Sequence, residues 1–149
     1  MEQFMKLRAF IKIDKIDWYY LSRNPSAIKL LEANPEKIDW YYLSRNPSPV
    51  AIKLLEANQK KIDWWRLSQN PAPGAIKLLE ANQEKICWWA LSRNPSAIKL
   101  LEANQEKINW DMLSRNPAPE AMKLLRSESG ENLVDGAVGK SLSHETPRR

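Results

Sequence analysis

The chain repeats itself, and the repeat limits what it can fold into. The segment KIDWYYLSRNP at residues 15–25 returns at 37–47, then as KIDWWRLSQNP from Lys61, KICWWALSRNP from Lys85 and KINWDMLSRNP from Lys107. Between these copies lies AIKLLEAN, starting at Ala27, Ala51, Ala75 and Ala97, with a decayed copy, AMKLLRS, from Ala121. The isoleucines Ile16, Ile38, Ile62, Ile86 and Ile108 step by 22, 24, 24 and 22 residues. A fixed period of this length belongs to architectures in which each unit buries its apolar face against the next. The length difference falls at one site: NPSA at Asn24 and Asn94 becomes NPSPVA at Asn46, NPAPGA at Asn70 and NPAPEA at Asn116. A length change confined to one site marks a loop between two elements.

Each unit reads as two short helices. Asn-Pro punctuates them, since Asn caps helix N-termini and Pro at the first helical position forfeits no hydrogen bond. In the second helix Ala27, Ile28, Leu30 and Leu31 form an apolar face, with Lys29 and Glu32 paired weakly on the solvent side. In the first helix Trp18 and Leu21 face one way, and Tyr19 and Tyr20 point round to the other. Helices this short do not persist alone, because nucleation leaves isolated helices under about 12 residues marginal. The expected fold is therefore all-α, a right-handed α-solenoid of about five two-helix repeats of 22–24 residues. It spans residues 1–125, with 1–15 as a degenerate N-terminal cap, and Trp18, Trp40, Trp64, Trp88 and Trp110 should be largely buried. Residues 126–149 are polar, carry Gly and Ser and have no period, and are expected to form a flexible tail.

Seven Trp alongside four Gly in 149 residues also ask for packed helices. No apolar run approaches the roughly 18 residues a membrane helix needs, so no membrane partner is expected. The opening MEQFMKLRAFIKI has neither the apolar core nor the cleavage site of a secretory leader. Cys87, the single cysteine, cannot form an internal disulfide and stands where other units carry Asp17, Asp39 and Asp63, which reads as drift at a tolerant site. The net charge of +5 and the pI of about 9.4 raise the weight of an anionic partner.

The unit IDWxxLSxNPxAIxLLExN, matched from about Ile16 to Leu125, closely resembles the tandem repeats encoded in many copies by giant DNA viruses of amoebae, mimivirus-like and marseillevirus-like. The resemblance implies a viral repeat protein located in the cytoplasm of the infected host cell or in the virion. A looser similarity, through NPSPVAIKLL, is to leucine-rich-variant repeats, and it bears on fold alone. The iron–sulfur cluster of one such protein needs a cysteine cluster that is absent here.

Catalysis needs a few unlike residues assembled at one place, whereas these units offer the same residues five times. His144 lies in the expected tail. GAVGKS at residues 136–141 superficially resembles a phosphate-binding loop, but Val134 stands where that motif needs Gly. No enzyme activity, cofactor or metal is expected. The serine row Ser22, Ser44, Ser68, Ser92 and Ser114 reads as backbone capping. The asparagine row from Asn24 to Asn116 reads as helix punctuation. Arg23, Arg45, Arg93 and Arg115, interrupted by Gln69, read first as cations at helix C-termini and second as a phosphate-contacting stripe.

Variation between units singles out the two positions after the first Trp: Tyr19-Tyr20, Tyr41-Tyr42, Trp65-Arg66, Trp89-Ala90 and Asp111-Met112. Such positions align into a strip, which is either the contact surface for a partner or filler between neighbouring helices. Asp111 in place of Tyr argues for solvent access there. The expected function is a non-catalytic scaffold for protein–protein interaction. The alternative is an RNA- or DNA-binding solenoid that stacks bases on Tyr and Trp and holds phosphates with basic residues.

Overall fold

The computed structural model describes residues 15–130. All of the expected cap at residues 1–15 except Lys15 lies outside them, as do His144, GAVGKS and most of the expected tail. Among the described residues the chain is all helical, with no strand. The first helices of the units are α1 (Trp18–Arg23), α3 (Trp40–Leu43), α5 (Trp64–Ser68), α7 (Trp88–Ser92) and α9 (Trp110–Leu113). The second helices are α2 (Ile28–Glu32), α4 (Pro49–Ala57), α6 (Pro73–Glu80), α8 (Ile98–Glu102) and α10 (Pro119–Glu128). A 3-10 turn such as Gln59–Lys61 or Gln83–Lys85 leads each unit into the next, a third element the repeat pattern does not announce.

The odd helices start at a carboxylate or its amide analogue. Asp17 accepts from the N–H of Tyr19 and Tyr20, Asp39 from Tyr42, Asp63 from Arg66 and Asn109 from Met112. Cys87 occupies the same position before α7 and makes no such bond. That N-terminus lacks its side-chain cap. Cys87→Asp should raise stability by about 1 kcal/mol by restoring the cap and placing negative charge at the positive end of the helix. A urea midpoint that stays put or falls would show that the site has adapted to Cys.

The even helices start in two ways. In the shorter units Asn24 and Asn94 cap 3-10 turns, Pro25–Ala27 and Pro95–Ala97, which run on into α2 and α8. In the longer units the second Pro (Pro49, Pro73 or Pro119) takes the first helical position. The residue before it, Ser48, Ala72 or Ala118, is extended, because Pro disfavours helical backbone in its predecessor. Asn-Pro therefore caps the even helices in two units and lies one turn upstream in three. Each even helix up to α8 ends on an Asn side chain: Asn34, Asn58, Asn82 and Asn104 each donate to the carbonyl of the Leu four residues back at 2.9 Å. The last helix, α10, continues past Leu125 to Glu128, and Gly130 beyond it has the positive φ that commonly follows a helix end.

Packing runs from unit to unit. α1 contacts α3, α5 contacts α7 and α7 contacts α9, while α4 contacts α6 and α8 contacts α10. Between them stands a column of fully buried leucines, Leu31, Leu43, Leu55, Leu67, Leu79, Leu91, Leu101 and Leu113, drawn alternately from even and odd helices. Ala51, Ala75, Ala97 and Ala121, also fully buried, let the even helices approach closely. The five repeated tryptophans pack against this core with most of their surface covered, as their recurrence suggests. Helices of four to six residues leave part of each indole open. In three units a lysine of the following unit lies over the ring: Lys61 over Trp40 at 4.7 Å, Lys85 over Trp64 at 4.9 Å and Lys107 over Trp88 at 5.0 Å. The expected helix-face pairs do not form in three units, where Lys53, Lys77 and Lys99 stay beyond ion-pair distance of Glu56, Glu80 and Glu102.

Two rows of polar side chains join successive units. Ser22, Ser44, Ser68 and Ser92 are fully buried; each donates to the Trp carbonyl four residues back and accepts the backbone N–H of Asp39, Asp63, Cys87 or Asn109 in the next unit. Ser114, in the last unit, is exposed and donates to Asp111. The asparagines form a ladder. Asn70, Asn94 and Asn116 each donate to two backbone carbonyls, one from the Ser and one from the Asn of the preceding unit, and their side-chain amide oxygens accept the N–H two residues on. Capping and punctuation describe half of what these residues do; the other half is holding unit to unit.

Candidate functional site

The two variable positions of the strip separate in the structure. At the first, Tyr19 is 43% exposed, Tyr41 38%, Trp65 40% and Trp89 48%, and Asp111 is exposed as well. At the second, exposure falls along the chain: Tyr20 is 67% exposed, Tyr42 and Arg66 are half-buried, and Ala90 and Met112 are buried at 2% and 7%. Ala90 and Met112 are thus not accessible contact residues. One residue further along a helix turns the side chain by about 100°, here from the outer face toward the neighbouring odd helix.

The second-position side chain reaches back onto the first-position side chain of the preceding unit. The Tyr42 ring lies 3.7 Å from that of Tyr19, centroid to centroid, and the Arg66 guanidinium lies 4.1 Å over Tyr41. Tyr42 donates its hydroxyl proton to Tyr19, which holds its phenol above the ordinary value of 10, at about 12. Arg66 also sits 4.6 Å over its neighbour Trp65, and its Nη2 donates to the Tyr41 hydroxyl. Units two and three therefore close the gap between successive aromatic rings with Tyr42 and Arg66.

Unit four has Ala90 at this position, and a cleft of about 450 Å³ lies there. Trp65 and Trp89 line it, with Ala90 directly after Trp89 and Arg45, Arg66, Gln69 and Arg93 around them. Arg45 and Arg93 belong to the arginine row at the ends of the odd helices, and Gln69 is the position where that row is interrupted. Among the described residues none of Arg45, Arg66 and Arg93 has a carboxylate within ion-pair distance, whereas Arg115 is paired with Asp111 at 3.4 Å. The Nε of Arg66 is shielded from water and has no hydrogen-bond partner. The cleft thus gathers three guanidinium charges and two half-open indoles with no acid to balance them.

Sequence comparison between units finds the variable positions but misses this cleft. Its signal was a small residue, Ala90, where other units carry Tyr or Arg, beside the Gln69 interruption. Nothing in the period shows that residues 24 apart come to touch. No family model, curated protein or solved structure matches this chain.

Proposed function

We propose that the chain is a non-catalytic repeat scaffold, its units stacked as a right-handed α-solenoid, and that it binds a protein partner through the outer faces of the odd helices. The observation that carries this reading is the row of large exposed aromatics, Tyr19, Tyr20, Tyr41, Trp65 and Trp89, on units whose framework positions are buried or hydrogen-bonded to their neighbours. Large rigid rings left in water without a structural need are the residues that anchor interfaces. The resemblance of the unit to giant-virus tandem repeats supports placing the scaffold in an infected host cell or a virion. A nucleic-acid partner is the second reading, and the three unpaired arginines support it.

Affinity capture from the source cells, with and without nuclease, separates the two. A protein partner survives nuclease and modest salt, whereas a nucleic acid is lost steeply because added salt lowers the gain from counterion release on binding. Trp65→Ala with Trp89→Ala should weaken the captured partner by about tenfold or more, since aromatic anchors commonly contribute about 2 kcal/mol each. A double variant that keeps its circular dichroism and its partner with unchanged affinity would move recognition off the strip.

A further inference from the structure

We infer that the cleft beside Ala90 receives a short acidic segment of a protein partner, its carboxylates held by Arg45, Arg66 and Arg93 and its apolar side chains set against Trp65 and Trp89. The inference rests on the scaffold reading and names the chemistry of what that scaffold binds.

Charge is the first argument. Arg45, Arg66 and Arg93 all line one opening and have no ion-pair partner among the described residues. Like charges gathered in this way repel one another, and an anion between them relieves that repulsion. Arginine presents a planar fork of donors that matches a carboxylate two bonds at a time, a geometry lysine lacks. Shape is the second argument. The gap that Tyr42 and Arg66 fill in earlier units is left open by Ala90, and the concavity lies there. Its volume, about 450 Å³, suits a few side chains and not a folded domain.

The same features disfavour a nucleic-acid strand. A single strand needs a basic groove that follows its backbone and ring faces open for stacking. Here the Arg66 guanidinium already lies over the rings of Tyr41 and Trp65. One unit further on, the strip presents the exposed carboxylate of Asp111, which would repel a phosphate chain. The three arginines of the cleft sit in the middle units, where they suit a short segment.

Fluorescence polarisation on the full chain tests this with three labelled probes: a short peptide of alternating Glu and Leu, the same peptide with Gln for Glu, and an oligothymidylate. The acidic peptide should bind saturably, and the Gln peptide about tenfold more weakly or worse. Arg45→Ala with Arg93→Ala should weaken the acidic peptide by about tenfold or more, whereas Arg23→Ala with Arg126→Ala, which removes equal charge elsewhere, should leave it within about twofold. Ala90→Tyr should abolish binding without changing charge, by filling the cleft with the residue unit two carries. Should Ala90→Tyr unfold the chain, the Arg45 and Arg93 pair decides, since neither side chain bonds within the described residues.

Tighter binding of the oligothymidylate than of the peptide, equal binding of the Gln peptide, equal loss in the Arg23 and Arg126 pair, or no saturation by about 1 mM would each overturn the inference. If the Trp65 and Trp89 substitutions release the captured partner while the Arg45 and Arg93 pair and Ala90→Tyr retain it, the scaffold reading stands and the acidic segment falls. If peptide binding behaves as expected but the captured partner ignores the Trp substitutions, the cleft stands and the wider strip falls.

Discussion

Asn70→Ala should destabilise the protein by about 3–5 kcal/mol, more than most polar-to-Ala changes, because three buried backbone groups would lose their partner at once. Asn70 is fully buried. Its Nδ2 donates to the carbonyls of Ser44 at 3.1 Å and Asn46 at 3.0 Å, and its Oδ1 accepts the N–H of Ala72 at 3.0 Å. A buried donor or acceptor left unsatisfied costs about 1–3 kcal/mol, and water cannot readily enter to replace the amide. Asn70→Asp should be no better despite its similar shape, because a carboxylate has no N–H to give and would face two carbonyl oxygens. Asn24→Ala is the control: Asn24 is exposed and caps the N–H of Ser26, so its loss should cost about 1 kcal/mol. Urea denaturation followed by circular dichroism measures all three. A cost below about 1 kcal/mol for Asn70→Ala would show that the ladder is ornamental to stability.

Leu67→Ala should cost about 3–5 kcal/mol and should also change how the chain unfolds. Leu67 is fully buried on α5 in the middle unit, within the continuous apolar cluster that runs from Ile28 to Leu124. Removing three carbons there forfeits transfer energy and leaves a cavity that short helices tied to both neighbours cannot easily collapse around. In a chain where each unit touches its neighbours, a weak middle unit uncouples the two sides, so a single urea transition should broaden or divide. Leu125→Ala, half-buried at the last unit, should cost about 1–2 kcal/mol and leave the transition single. Equal costs at Leu67 and Leu125 would mean that burial depth along the stack does not govern stability.

The sequence by itself determined the period, the helical class, the site of the two-residue insertion and the positions free to vary. It could do so because those properties are local: a 3.6-residue spacing, an Asn-Pro step and a comparison of one unit with another need no knowledge of what lies across the fold. It also placed Ile28 and Leu31 on a buried face, since their apolar spacing admits one. Where it was wrong or silent, the deciding distance ran between units. Trp64 owes part of its cover to Lys85 of the next unit. Ala90 and Met112 are buried at the position from which Tyr42 and Arg66 reach back onto the preceding unit. Ser68 and Asn70 serve as joints because the groups they bond lie 19 to 26 residues away. The cleft exists because a side chain too short to reach back stands at Ala90. Helical periodicity sets which way a residue points, but the offset between stacked units sets what it meets, and that offset comes from packing summed over the whole interface rather than from any one segment of the chain.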